Sequence, residues 1–142
     1  PYAIGGILNR ISDMTAFLNP RADSYERLGN CKAPKYITWS PENRSQLIRV
    51  PAAQGDYKRL ELRSPDPSAN PYIAFALMIY AALAGLKNKE MPPAAVNMNM
   101  FSTDGTDYKT LPSDINAAKA IALNSEFIGE VLPRRITEVY CK

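Results

Sequence analysis

Arg59, Glu61 and Arg63 recur at every second position of the stretch Arg59-Leu60-Glu61-Leu62-Arg63-Ser64. Successive side chains of an extended strand alternate sides, so the three polar groups share one face and Leu60 and Leu62 the other. Arg44 and Arg49 precede this segment, and Arg27 lies further upstream. Arginine grips a carboxylate or phosphate with a planar, two-point fork, which suits it to anion recognition better than lysine. Arg27, Arg44, Arg49, Arg59 and Arg63 around a single acid exceed what charge pairing needs. Two readings account for the row: a solvated sheet face with i, i+2 charge pairs, or a site for an anion and a metal. Arg44 and Arg49 would point to opposite sides of an unbroken strand, so grouping them requires Arg44 in the turn before it, or a bulge.

Glu61 alone can serve Mg²⁺ or Mn²⁺ only as one oxygen ligand of several. No second paired carboxylate lies nearby, so the remaining ligands would come from residues outside this stretch of chain. Histidine is absent, which excludes imidazole metal sites and confines chemistry to carboxylates, Lys, Arg, Cys or Tyr. Cys31 in a loop has no visible activating partner, and Cys31 and Cys141 imply no disulfide framework. Gly5-Gly6 lacks the spacing of a phosphate loop and reads as a packing contact or helix start. Asp104-Gly105 reads as a turn.

The elements that must position these residues follow from periodicity. Ile4, Ile7, Leu8, Ile11, Met14 and Leu18 predict an amphipathic helix over 3–18, stopped by Asn19-Pro20. Residues 19–34 form a turn-rich loop. Strands are expected at 35–40, 45–51 and 59–64, and their short connections suggest an antiparallel sheet. Asn70 and Pro71 predict the capped start of a second helix running to about Lys87. That helix is apolar nearly all round, so both its sides should be packed, with Tyr72, Phe75 and Tyr80 in the core. Its apolar run, Tyr72 to Leu86, is shorter than a membrane span. Residues 90–111 are a Met/Pro/Asn-rich connection, and helical patterning returns from Ser113, with a break near Asn124-Ser125.

With 142 residues and 46% hydrophobic content the chain can bury the core of one α+β domain, short antiparallel strands packed with helices over 1–142. A net charge of +3 without a Lys/Arg block gives no argument for nucleic acid. Pro1 as first residue and the end at Lys142 suggest a piece of a longer protein.

The motifs Asn43-Arg44-Ser45 with Ile48-Arg49, Glu61-Leu62-Arg63 running through Pro65-Asp66-Pro67-Ser68-Ala69-Asn70-Pro71-Tyr72, and Gly85-Leu86-Lys87-Asn88-Lys89 come in a set order. Together with "NPRADSYERL" and "LPSDINAAKA" they resemble the C-terminal part of the glutamine synthetase catalytic domain over nearly the whole chain. The resemblance implies ATP-dependent joining of ammonia to glutamate through a γ-glutamyl phosphate, with ATP and Mg²⁺ or Mn²⁺ as cofactors. It implies that Glu61 is a metal ligand, that Arg63 grips the glutamate carboxylate with Arg27 as a second contact, that Arg44 stabilises the transferring phosphoryl group, and that Arg49 and Arg59 meet the nucleotide phosphates. It further implies a cytoplasmic parent that is a large homo-oligomer with sites shared between subunits, and neither nucleic acid nor membrane as partner.

Two departures from the family pattern stand out. Lys32 occupies the place where the family carries a loop Glu that closes over the site and helps deprotonate ammonium. The family's His-containing metal motif, its other metal-binding glutamates and its small β-domain are expected upstream. The piece alone is therefore expected to be inactive. A glutamate–amine ligase of the same superfamily and a non-catalytic, ligand-binding relative are the alternatives that Lys32 keeps open.

Overall fold

The computed structural model describes residues 1–30, 32–104 and 107–142. Cys31, and the Gly105 half of the expected Asp104-Gly105 turn, lie outside the described residues. The element order is α1 (Tyr2–Leu18), β1 (Trp39–Pro41), β2 (Ile48–Val50), β3 (Glu61–Leu62), α2 (Pro71–Asn88), α3 (Ile115–Leu123), α4 (Glu126–Val131) and α5 (Arg134–Cys141). The α+β class holds.

Helix α1 is the spine of the core. All six residues of its predicted stripe are buried, with Phe17 beside them. They pack with Leu47 and Ile48 of the sheet, Leu77 and Ala81 of α2, and Ala118, Ala122 and Ile128 of α3 and α4. Gly6 and Gly85 let α1 and α2 touch backbone to backbone: a Cβ on Gly6 would lie 2.6 Å from Gly85 Cα and 2.2 Å from the Ala81 carbonyl oxygen. Gly5-Gly6 is thus a packing contact. Arg10 fastens the same pair of helices through a two-point grip on Glu90, both bonds 2.8 Å.

Asn70 caps α2 as expected, its side-chain oxygen accepting from the Tyr72 and Ile73 amides at 3.0 and 3.4 Å. The packing expected around α2 is not there. Only Leu77, Ala81 and Gly85 are buried, and Tyr72, Phe75 and Tyr80 are exposed rather than core. An all-round apolar sequence reports that no side was selected for water; it does not supply a second partner. By length and composition α2 is also sufficient to cross a membrane, contrary to the expectation from its apolar run.

The sheet has the order β1-β2-β3. Strands β2 and β3 are antiparallel, pairing Ile48 with Leu62 and Arg49 with Glu61. Strands β1 and β2 are parallel, pairing Trp39 with Ile48, so the sheet is mixed rather than wholly antiparallel. A parallel return needs a crossover as long as the strand. Strands of three residues rise only about 10 Å, and residues 42–47 span enough chain to return that distance. The expected strand 35–40 is divided. Its first part pairs with 109–111, through Ile37 N–H to the Lys109 carbonyl and Leu111 N–H to the Lys35 carbonyl, both 2.8 Å, and only Trp39 onward joins the sheet.

After Asp114 and Ser125 cap α3 and α4, Pro133 opens α5, a helix the periodicity did not predict. Cys141 on α5 is buried, and burial pushes its thiol up from the usual range, which leaves it inert.

Candidate functional site

The register of β2 and β3 decides the centre of the arginine row. Arg49 and Glu61 are directly opposed, and Arg49 Nη1 donates to Glu61 Oε2 at 3.0 Å. Arg59 Nε donates to Glu61 Oε1 at 3.1 Å. Arg49, then Arg59, hold the Glu61 carboxyl below the usual carboxylate range against a smaller opposing effect of burial.

Both oxygens of Glu61 are therefore engaged by guanidinium groups. Among the described residues no three His, Cys, Asp or Glu side chains gather to hold a metal. Hard divalent cations require several oxygen ligands. The residues present do not make a metal site by themselves: a cation at Glu61 would need an arginine to release it and further ligands from outside this chain.

Arg63 continues the row. Its amide donates to the Leu47 carbonyl at 3.0 Å, which extends the β2–β3 pairing by one step. Its Nη1 is buried with no hydrogen-bond partner among the described residues. Burial pushes the guanidinium down from its ordinary value; Glu61 opposes this, and Arg49 and Arg44 add to it. A buried donor left unpaired costs about 1–3 kcal/mol, more when charged, so the fold holds Arg63 at an expense that an anion would relieve.

Arg44 sits in the turn between β1 and β2, the first of the two placements that grouping it with Arg49 allowed. An Asx turn shapes that loop: Asn43 Oδ1 accepts from the Ser45 amide and hydroxyl at 2.9 and 2.8 Å. Asn43 Nδ2 donates to the carbonyls of Asn97 and Met98, and Met100 N–H donates to Ser45 Oγ. The Met/Pro/Asn-rich connection is thus the clamp on the Arg44 turn. The alternation Asn97-Met98-Asn99-Met100 was the signal that could have revealed it, since Asn side chains serve turns.

Lys32, Arg44 and Arg63 line one open pocket of about 350 Å³ together with Asn43, Ser45, Asn99 and Phe101. Three cations and no carboxylate line it. Lys32 has φ 64°, the left-handed region that a side chain enters at a cost, and such residues concentrate at functional loops. Arg59 lies apart, on a neighbouring hollow with Glu42, Val50 and Lys58. A larger hollow of about 440 Å³ between α1 and residues 107–109 carries one acid and one base, Asp107 and Lys109, and lacks this excess of charge.

Arg27 does not line the pocket. Its Nε donates to Asp66 Oδ2 at 3.0 Å, and its Nη2 donates to Asn19 Oδ1 at 2.7 Å and to the Ser64 carbonyl. It braces the end of α1 against the backbone that follows Arg63.

The whole chain, residues 1–142, matches the family model described as glutamine synthetase, catalytic domain. It is 43% identical to a glutamine synthetase of Methanosarcina mazei, covering 98% of this chain and 32% of that protein. It is 50% identical to one from Clostridium saccharobutylicum, covering 91% of this chain and 30% of that protein. A solved structure described as a GmaS/ADP complex superposes with a TM-score of 0.85 at 27% identity, over 98% of this chain and 34% of that one. The chain thus spans about a third of the length of the proteins it matches. With the family model matched from end to end and relatives more than 40% identical over nearly the whole chain, the chain belongs to the glutamine synthetase catalytic-domain family.

Proposed function

We propose that this chain supplies the anion-binding part of an ATP-dependent glutamate–ammonia ligase that works through a γ-glutamyl phosphate. The observation that carries the reading is the buried, unpaired Nη1 of Arg63 beside Arg44 in a pocket without carboxylates. Arg63 offers a two-point grip for the glutamate carboxylate. Arg44, on its clamped turn, faces the negative charge that spreads over a phosphoryl group in transfer, where fixed positive charge contributes most. Arg49 and Arg59, paired with Glu61, can also reach toward the phosphates of a nucleotide. The ADP in the similar solved structure supports a nucleotide on this fold. Arg27, first assigned to substrate, acts by positioning the backbone behind Arg63. A divalent metal supplies charge neutralisation to such a reaction when bound, and no step is assigned to it through Glu61. The completed protein is a cytoplasmic homo-oligomer that builds its sites between subunits.

Lys32 favours a second reading in which the acceptor is an amine other than ammonia. A protonated lysine on the rim repels ammonium, while a larger amine can be held away from it. The test uses a completed protein in which residues 1–142 replace the matching segment of the M. mazei glutamine synthetase. With glutamate and ATP, it is offered ammonia, hydroxylamine or a polyamine. Turnover with ammonia is the expected result. Turnover with the amines alone would select the second reading, and ATP binding without any turnover would overturn both. Lys32→Glu is expected to lower KM for ammonia at least several-fold.

A further inference from the structure

We propose that Lys32 seats a carboxylate carried by the acceptor, so that the site, besides ammonia, joins the γ-carboxyl of glutamate to an amine bearing an acid of its own, an α-amino acid being the simplest kind. The inference rests on the ligase reading above and names a further acceptor class for the same site. Lys32, Arg44 and Arg63 line one pocket, and no carboxylate lines it with them. Neighbouring cations already have partners. Arg49 and Arg59 hold Glu61, Arg27 holds Asp66, and the Lys35 ammonium lies 5.0 Å from the centre of the Tyr36 ring. Among the described residues Lys32 has no such partner.

The place of Lys32 is nonetheless fixed. Gly29 N–H donates to the Ala33 carbonyl at 2.7 Å, and Ala33 N–H donates to the Asn30 carbonyl at 2.8 Å, which closes the turn around it. Arg27, at the base of that turn, is braced on Asp66. A non-glycine residue in the left-handed region, as Lys32 is at φ 64°, persists where its surroundings over-determine it. The ligase reading gives Arg63 the glutamate carboxylate and Arg44 the phosphoryl group, and leaves Lys32 without an anion. Ammonia brings none, and a polyamine adds positive charge to a pocket that already holds three cations. An amine with a carboxylate supplies the missing charge through a charge-assisted hydrogen bond. In the transfer the acceptor enters with its nitrogen uncharged, having given a proton to solvent. The nitrogen lone pair forms the C–N bond to the γ-carbonyl carbon of the γ-glutamyl phosphate. The C–O bond to phosphate breaks with its electron pair, and the proton shed by the nitrogen goes to the departing phosphate. The product is a γ-glutamyl amino acid.

The experiment offers the completed protein glutamate and ATP with glycine or with glycinamide, which differs by lacking the carboxylate, and follows the products by mass. Glycine is expected to exceed glycinamide in kcat/KM by at least about 10-fold, the worth of one charge-assisted hydrogen bond. The ratio should fall to near one in Lys32→Gln and persist in Lys32→Arg. Taking the ratio within each variant separates acceptor choice from any loss in the phosphoryl step. No preference for glycine in the unsubstituted protein would overturn the proposal. So would a preference that survives Lys32→Gln, which assigns the carboxylate to another group. Absence of turnover with every acceptor, ammonia included, would remove the ligase reading, and binding alone then decides this one. By calorimetry, γ-glutamylglycine should bind at least about 10-fold more tightly than glutamine, and Lys32→Gln should erase the difference. Equal binding of the two, as when an acid from the rest of the domain neutralises Lys32, would overturn the proposal.

Discussion

Arg63 is a charged side chain among the described residues whose surroundings deviate from what stability alone would select. It is part-buried, one donor is unpaired, and Arg44 and Arg49 face it. Its neighbours Arg49 and Arg59 are satisfied by Glu61, and Arg27 is satisfied by Asp66, Asn19 and Ser64. One row of like residues therefore divides into members already paired within the chain and one whose donor is left open, a division that residue type cannot reveal. Arg63→Ala in the completed protein is expected to lower kcat/KM by about 10²-fold or more, and Arg63→Lys to restore little, because a point charge does not replace a planar fork. Arg44→Ala is expected to lower kcat with KM for glutamate nearly unchanged, since its interaction develops with the phosphoryl charge. Steady-state kinetics separates the two patterns, and wild-type turnover by either alanine variant would remove that arginine from the site.

The joint between α1 and α2 is the element-level determinant of the fold. A methyl on Gly6 would meet backbone atoms of α2, which cannot move aside as a side-chain tip can. Gly6→Ala is expected to cost about 3 kcal/mol or more by overpacking. Gly129 in α4 has no atom within 4 Å of where its Cβ would lie, so Gly129→Ala should stabilise by about 0.5–1 kcal/mol. Thermal denaturation of the two variants must therefore move in opposite directions. The same joint is sensitive to acid. The Arg10 grip, ahead of the opposing effect of burial, holds the Glu90 carboxyl at about 2 against an ordinary 4.5. A depressed carboxylate contributes stability that is complete above its unfolded value and disappears as pH falls through its folded one. Melting temperature is thus expected to fall from about pH 4.5 toward pH 2, and Glu90→Gln should be less stable than wild type above that window and converge with it at the bottom. These elements were legible in the sequence where local pattern suffices: the α1 stripe and the Asn70 cap, whereas of the strand expected over 59–64 only Glu61–Leu62 is paired as strand. The parallel β1–β2 pairing, the clamp on the Arg44 turn and the diversion of Arg27 depend on partners 8 to 55 residues away, and no local period encodes them. The exposed side of α2 was misread because hydrophobicity states a need for burial without saying which chain meets it.

At the scale of the whole molecule, the row of Arg59, Glu61 and Arg63 brings a single carboxylate to a chain about a third the length of the relatives it matches. Phosphoryl transfer needs cations positioned on both sides of the moving group. This chain presents guanidinium groups on one side, and its only acid in the row is already neutralised by Arg49 and Arg59. Binding and catalysis should therefore separate in the 142-residue chain. It is expected to bind inorganic phosphate or glutamate weakly, with affinity that falls as ionic strength rises, because an open pocket is screened by salt over distances of about 8–10 Å. Arg63→Ala should abolish that binding while leaving the fold unchanged, since the Nη1 it removes has no protein partner among the described residues. Glutamine formation from glutamate, ammonia, ATP and Mg²⁺ should stay at background in the same preparation. Calorimetric titration and a coupled phosphate-release assay on one sample read both quantities. Turnover by the short chain would show that a single acid and its arginines suffice for the chemistry. Salt-independent binding, or binding that survives Arg63→Ala, would move the anion out of the pocket between Lys32 and Arg44.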